Sequence, residues 1–329
     1  MAPSPLMSNL EGVTFRKFHN FDPPEVLRLW RWAGLGRGAV KPSLVDVFEL
    51  TVFSLPYFDP EGLILAECDG KAVGYVHAGF AINSEQNALD QSTGLICALI
   101  VHPDYRRRGI GTELLAKAEE YLKARGATKL IAGGGFKRDP FYVGLYGGIR
   151  HSGFLESDPM AKPFFEKHNY GSLEQYGIFQ RDYAKGSDPI NFRLVTIRRR
   201  FELRIRELEK NLSWWWVSRF GKFDALRFEL VSKSDQQALA GVTVIGMDLF
   251  ISAWQQRFIG LIDLFVDHDE RRKGYGQALL VEVARRMRQE SIDGAEMHIP
   301  LSSDMLQPLM KVSDFTQVDT AETFIKSPE

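Results

Sequence analysis

Residues 99–115 read LIVHPDYRRRGIGTELL, and residues 264–280 read LFVDHDERRKGYGQALL. With Arg106 laid on Arg271, nine of the seventeen positions are identical, both glycines and the first arginine among them, so the chain contains one unit twice. Each copy starts as an apolar run that predicts a strand, passes through a short polar loop, and opens an amphipathic helix after R-x-x-G-x-G.

A strand that turns through glycine into a helix gathers unpaired backbone N–H groups at one point, where the helix dipole is also positive. An anion belongs there. Gly109 and Gly111 remove side chains that would hold a phosphate off the backbone, and Arg106, Arg107 and Arg108 add charge at the rim. The guest that fits is a pyrophosphate. Neither copy has the lysine of a nucleotide-hydrolase phosphate loop, and Leu114 stands where a dinucleotide fingerprint needs its third glycine.

Around these copies the chain has 329 residues, enough for two domains of ordinary size, and we place the boundary at residues 1–187 and 188–329. Residues 184–191 are the expected linker. With 41 basic and 42 acidic residues there is no global field to draw the chain to nucleic acid or to an anionic membrane. No run of 18 apolar residues occurs, so no membrane span is expected and the cytoplasm is the default location. Cys68 and Cys97 lie in apolar runs and read as buried free thiols; no Cys/His spacing suggests a metal.

Within the first half, strands are expected at 13–17, 63–67, 72–78, 96–101, 129–132 and 174–181. Helices are expected from Pro23 with Asp22 as its cap, at 44–53, at 112–124 and at 161–168. Residues 133–163 are glycine-rich and aromatic, too long for a plain connection and too aromatic for disorder. The second half repeats the plan, with a charged helix at 196–211 and strands at 225–232, 241–247, 261–266, 295–299 and 322–326. Helices are expected there at 277–289 and 304–312. Trp214, Trp215 and Trp216 are read as packing residues, because three consecutive rings cannot share one face.

Arg106-x-x-Gly109-x-Gly111 and Arg271-x-x-Gly274-x-Gly276, each after a strand ending in valine, resemble the acetyl-CoA pyrophosphate site of the GNAT superfamily of N-acetyltransferases. The resemblance implies a tandem pair of α/β (α+β) units, each a mixed, mostly antiparallel sheet with helices on both faces. It also implies acetyl-CoA as cosubstrate and direct attack on its thioester by an amine, here expected to belong to a small molecule. A homodimer is the assembly to look for.

By the same resemblance the cofactor is held by the main chain of Ile100 and Val101 and by Arg106, Arg107, Arg108, Gly109, Ile110, Gly111 and Thr112. In the second copy the matching residues are Phe265, Val266, Arg271, Arg272, Lys273, Gly274, Tyr275, Gly276 and Gln277. Many members carry a carboxylate base three residues before the strand's valine and a tyrosine acid on the last helix. Those positions are Ala98 and Phe165 in the first copy, Asp263 and about Met310 in the second. Neither copy has the pair. Asp263 is therefore the candidate base, and Tyr142 or Tyr146 the stand-in acid.

A positioned acid or base supplies 10²- to 10⁴-fold, whereas holding the reactants in attack geometry supplies about 7–11 kcal/mol, so one missing group weakens such an enzyme without abolishing it. In tandem relatives one half catalyses while the other has lost activity, and the first half, with the cleaner phosphate loop, is the expected acyl-CoA site. A catalytically degenerate acyl-CoA-binding or sensing protein is the alternative.

Overall fold

The computed structural model describes residues 10–135, 138, 140–185, 188–209 and 211–327. It divides into two compact units, each discontinuous in sequence. Unit 1 takes the chain up to Gly147, then His151–Glu174 and the residues from Glu322 on; unit 2 is Gly148–Arg150 and Gln175–Ala321. The units therefore do not follow a single cut at 187/188, and residue 187 itself lies outside the described residues.

Unit 1 runs β1 (Val13–Lys17), α1 (Pro23–Trp32), α2 (Asp46–Phe48), β2 (Leu63–Cys68), β3 (Lys71–Ile82) and β4 (Leu89–Val101). Then come α3 (Ile110–Ala124), β5 (Lys129–Ala132), β6 (Phe154–Leu155), α4 (Ala161–Lys167) and the start of β7 (Tyr170–Asp182). Strands β1 to β4 pair antiparallel in order, and β4 pairs parallel with β5. The expected helix at 44–53 is a single α-turn that widens into a π-turn over Glu49–Phe53, and β4 begins at Leu89, well before the strand expected at 96–101.

Asp22 does not cap α1 with its side chain. It is 1% exposed and is held instead by Arg16, whose Nη1 and Nη2 donate to its carboxylate at 2.7 and 2.8 Å. That pairing holds its carboxyl below the usual range against the opposing cost of burial. Much of the described part of the long loop after β5 is buried in unit 1: Tyr146 bridges to Ala39, Val40 donates to the carbonyl of Leu145 at 2.8 Å, and Phe141, Tyr142 and Leu145 are almost fully covered.

Unit 2 runs α5 (Phe192–Arg200), β8 (Phe201–Arg206), α6 (Trp214–Phe220), β9 (Ala225–Ser232), β10 (Ala238–Gly246), α7 (Ile251–Trp254) and β11 (Phe258–Val266). It continues through α8 (Tyr275–Gln289), β12 (Gly294–Pro300), α9 (Leu306–Val312) and most of β13 (Thr316–Lys326). Its strands pair antiparallel from β8 to β11, with β11 parallel to β12. The charged helix expected at 196–211 ends at Arg200. Beyond it Phe201, Leu203 and Ile205 alternate with charges and form a strand, a period of two that the dense arginines obscure. In α6, Trp215 is buried and Trp214 half-exposed, as packing residues rather than a platform.

In each unit the strand beside the parallel pair comes from the far end of the other repeat. In unit 1 the place beside β5 is taken by residues 322–326, with Phe324 opposite Ala132 and Ile325 opposite Ile131. In unit 2 the place beside β12 is taken by residues 175–182, with Tyr176 opposite Pro300 and Asp182 opposite Gly294. The two cores are separate: α3 packs its Ile110, Leu114, Ala118 and Leu122 on β2 to β4, and α8 packs its Leu279, Leu280, Val283 and Ala284 on β9 to β11.

The expected linker also differs. Asp188 takes hydrogen bonds from Arg181, Arg285 and Arg288 at 2.8, 3.0 and 2.6 Å, so this part of the segment is an anchor; residues 186 and 187 lie outside the described residues. Cys97 is buried, but Cys68 is only partly so. Among the described residues no helix is long and apolar enough to cross a membrane, and no group of His, Cys, Asp and Glu is placed to hold a metal.

Candidate active site

The two motif loops have one backbone. After β4 a short turn leads to Arg107 at φ 63° and Gly109 at φ 87°, and α3 starts at Ile110; after β11, Arg272 at φ 61° and Gly274 at φ 93° precede α8. Neither glycine can cap its helix with a side chain. The first intrahelical bonds are made by Glu113 to Gly109 and by Ala278 to Gly274, which leaves the N–H groups of Ile110, Gly111 and Thr112, and of Tyr275, Gly276 and Gln277, to be satisfied from outside the helix. Two left-handed residues two apart turn such amides toward one point, the geometry of an anion nest. These residues fit a diphosphate.

The glycines divide the work differently from the sequence reading. A Cβ on Gly109 would meet only Leu10, at 3.9 Å, so this position faces open space and needs glycine for its φ. A Cβ on Gly111 would come within 3.1 Å of Phe164, and one on Gly276 within 3.4 Å of Leu309 and Val266; the second glycine serves side-chain packing on the helix. The first arginine is likewise diverted. Arg106 donates from Nε to the carbonyl of Val101 at 3.0 Å and from Nη2 to that of Ala33 at 2.6 Å, and Arg271 repeats the first contact with Val266 at 3.3 Å. Arg107 is exposed, and Arg108 lies over the Tyr105 ring. Thr112 Oγ1 is 2.9 Å from His168 Nε2, Lys273 pairs with Glu270, and Gln277 donates to the carbonyl of Val312.

In both units the motif strand parts from its parallel neighbour. Pairing of β4 with β5 stops at Ile96 and Ala132, and pairing of β11 with β12 stops at Gly260 and Glu296. Beyond those points residues 97–101 and 261–266 are paired, among the described residues, only with β3 and β10. A register shift in each strand falls at this opening, where a bulge re-aims side chains.

What fills the opening differs. In unit 2, Gly148–Arg150 lie along it: Ile149 Cγ2 is 2.1 Å from where a Cβ on Gly260 would stand, Gly148 sits against Glu296, and Arg150 Nη2 reaches Asp263 Oδ1 at 3.5 Å. Asp263, at φ 52°, also gives its carbonyl to Arg227, whose guanidinium lies 5.0 Å from the Phe265 ring centre. The nest is crowded too, since Arg193 Cδ is 2.7 Å from a Cβ placed on Gly274.

In unit 1 the same strand opens on a cleft lined by Trp30, Leu35, residues 97–100, Tyr142, Tyr146, His151, Phe154 and Asp158. Tyr142 stacks on Trp30 with centroids 5.6 Å apart, and its hydroxyl is 3.1 Å from His77 Nδ1. Burial holds the Tyr142 hydroxyl well above its usual pKa and pushes His77 down to about 3, so that imidazole is neutral. The Tyr146 hydroxyl oxygen accepts from the N–H of Leu155 at 2.9 Å.

Asp158, 9% exposed, accepts from the N–H of Met160 at 3.2 Å. Burial raises its carboxyl, and the Arg106 charge opposes the rise. His151 and Asp158 are the cleft residues that sequence reading missed. They belong to the long loop noted as too long to be a connection, and they are titratable groups among its aromatics. Ala98 lies on the cleft wall, while Phe165 and Met310 are buried in the two cores.

A parted strand feeding a glycine-capped helix, built twice over, is the layout of an acyltransferase with tandem domains. The sequence model of the acetyltransferase (GNAT) family matches residues 28–143 and 198–305, and the chain belongs to that family. An acetyltransferase of Photorhabdus laumondii is 33% identical over 119 residues, which are 36% of this chain and 73% of that protein; one of Yersinia pestis is 35% identical over 118 residues, again 36% and 73%.

Among solved structures, the glucosamine N-acetyltransferase region of a fungal multi-domain β-N-acetylglucosaminidase superposes with a TM-score of 0.68 at 14% identity. The match covers 95% of this chain but only 38% of that one. A tandem GNAT protein from the clavulanic acid biosynthesis pathway superposes with a TM-score of 0.65 at 16% identity, covering 96% of this chain and 99% of that one. At these identities the structural matches speak for the tandem fold.

Proposed function

We propose that this protein transfers an acetyl group from acetyl-CoA to the amine of a small-molecule acceptor, and that unit 1 holds the reaction. One observation carries the choice of unit: β4 opens on a lined cleft, whereas the equivalent opening along β11 is occupied by Ile149 and Arg150. The N–H groups of Ile110, Gly111 and Thr112 receive the diphosphate, with Arg107 and Arg108 at its rim. The open edge of β4 at Ile100 and Val101 pairs with the amides of the pantetheine arm. When bound, the cofactor supplies an acyl group activated as a thioester.

An alkyl amine with a pKa near 10.4 is almost wholly protonated at pH 7, and shedding that proton costs about 4 kcal/mol. Asp158 takes it, so that the nitrogen lone pair can form the new N–C bond. Tyr146 gives a proton to the sulfur that departs as the C–S bond breaks. As the amide forms, its nitrogen sheds a second proton, which returns to the Tyr146 oxygen, so the balance leaves Asp158 protonated and solvent takes that proton. Arg106 acts through position, tying the end of β4 to the residue after α1. Asp263, paired with Arg150, is a structural carboxylate on this reading, and Tyr142, held by His77 and hard to deprotonate, shapes the cleft wall.

Calorimetric titration of CoA tests the assignment. One site per chain is expected, weakened about ten-fold by Gly109→Ala and kept on Gly274→Ala; no site at all would end it. Ala98, where many relatives have a carboxylate, favours a second reading, an acyl-CoA sensor without turnover. Binding of CoA with no acetylation across a panel of amines would select that reading.

A further inference from the structure

We infer that the acceptor is a primary amine with an aromatic or apolar body and a single cationic end, seated between the ring wall of the unit 1 cleft and Asp158. This rests on the assignment of acyl transfer to unit 1. Three observations carry it. The first is place: the cleft runs along residues 97–100, where the acyl arm would lie, so an amine seated against its far wall faces the thioester.

The second is the wall. Trp30, Leu35, Tyr142, Tyr146 and Phe154 present rings and aliphatic carbon, and their polar atoms have partners within the fold: Trp30 Nε1 donates to the carbonyl of Val40 at 2.9 Å, the Tyr142 hydroxyl is 3.1 Å from His77 Nδ1, and the Tyr146 oxygen accepts from Leu155. His151 adds an imidazole whose Nδ1 accepts from Gly153. Such a surface stacks on a flat apolar body and offers few partners for the many hydroxyls of a sugar.

The third is charge. Asp158 is the one carboxylate on the lining, nine-tenths buried, and a buried carboxylate facing rings is a seat for an ammonium group, which gains from both. A second positive charge on the acceptor would find no second carboxylate on this lining. The recognised chemistry is therefore one ammonium on a short linker to an apolar or aromatic group.

The test is binding of phenethylamine by calorimetry to the full-length protein already saturated with CoA, beside glucosamine and a tripeptide with a free amino terminus. Phenethylamine should bind at least ten-fold more tightly than either. Asp158→Asn should weaken it ten-fold or more while CoA affinity is kept, which also shows that the variant is folded. Leu35→Arg, which brings a cation into the cleft without touching the proposed acid or base, should weaken it as much. Equal or tighter binding of glucosamine or the tripeptide, or an unchanged affinity in Asp158→Asn, overturns the proposal. Failure of CoA itself to bind in the first titration would instead strike the assignment of acyl transfer.

Discussion

Arg106 donates from Nε to the carbonyl of Val101 at 3.0 Å, so the first arginine of the motif clamps the end of its own strand. With Nη2 spent on Ala33, little of this guanidinium is left for a ligand. Arg106→Ala should therefore cost about 1.5–3 kcal/mol of stability, the worth of hydrogen bonds to a charged donor. Arg107→Ala should leave stability within about 0.5 kcal/mol and weaken CoA binding, the more so at low salt. Denaturant midpoints and CoA titrations at two ionic strengths separate the two effects.

Gly109 and Gly274 have similar left-handed φ values, 87° and 93°, but different surroundings. Gly109→Ala should cost about 1–2 kcal/mol of backbone strain and lower CoA affinity about ten-fold, since the amides it aims would shift. Gly274→Ala adds a clash with Arg193 to the strain and should destabilise the protein more, with no change in CoA affinity. Thermal unfolding and calorimetry on the two variants check this.

Asp158→Asn should reduce kcat with an amine acceptor by 10²- to 10⁴-fold, the range of a lost general base. Asp263→Asn should leave kcat within two-fold, because its carboxylate is 3.5 Å from Arg150 along an opening that the chain itself fills. Steady-state rates on both variants decide the matter; a large loss in Asp263→Asn would move catalysis to unit 2.

His77 is buried neutral beside Tyr142, with its pKa pushed down to about 3. The unfolded chain takes up this proton near pH 6.5 and the folded protein only near pH 3, so the contribution to stability is complete above pH 6.5 and is lost as pH falls between those values. At pH 4 the loss is on the order of 3 kcal/mol relative to pH 7. His77→Gln, which keeps a polar partner for Tyr142, should flatten that part of the profile; urea midpoints of both proteins at pH 7 and pH 4 measure the difference.

The anion loops were legible in the sequence because their signal is local: glycine at a left-handed position and a first turn without a cap are written within six residues. Arg106 and Gly111 show the limit of that signal, since the pattern marks the loop but not whether a side chain serves the ligand or the fold. Arg193 to Arg206 misled because charge density hid the two-residue alternation of β8. Asp158 and His151 were not found because only tertiary packing brings a loop distant in sequence against β4. The occupation of β11 by Ile149 is equally non-local.

The provenance of the strand beside each parallel pair limits how the protein can be dissected. A gene truncated after codon 187 would encode unit 1 without residues 322–326, leaving the backbone of Ile131 and Ala132 bare along a sheet margin. The complementary fragment would lack residues 175–182 and expose β12 in the same way. Unpaired margins of this kind invite pairing with other chains, so separately expressed halves should precipitate, while co-expression should restore soluble material.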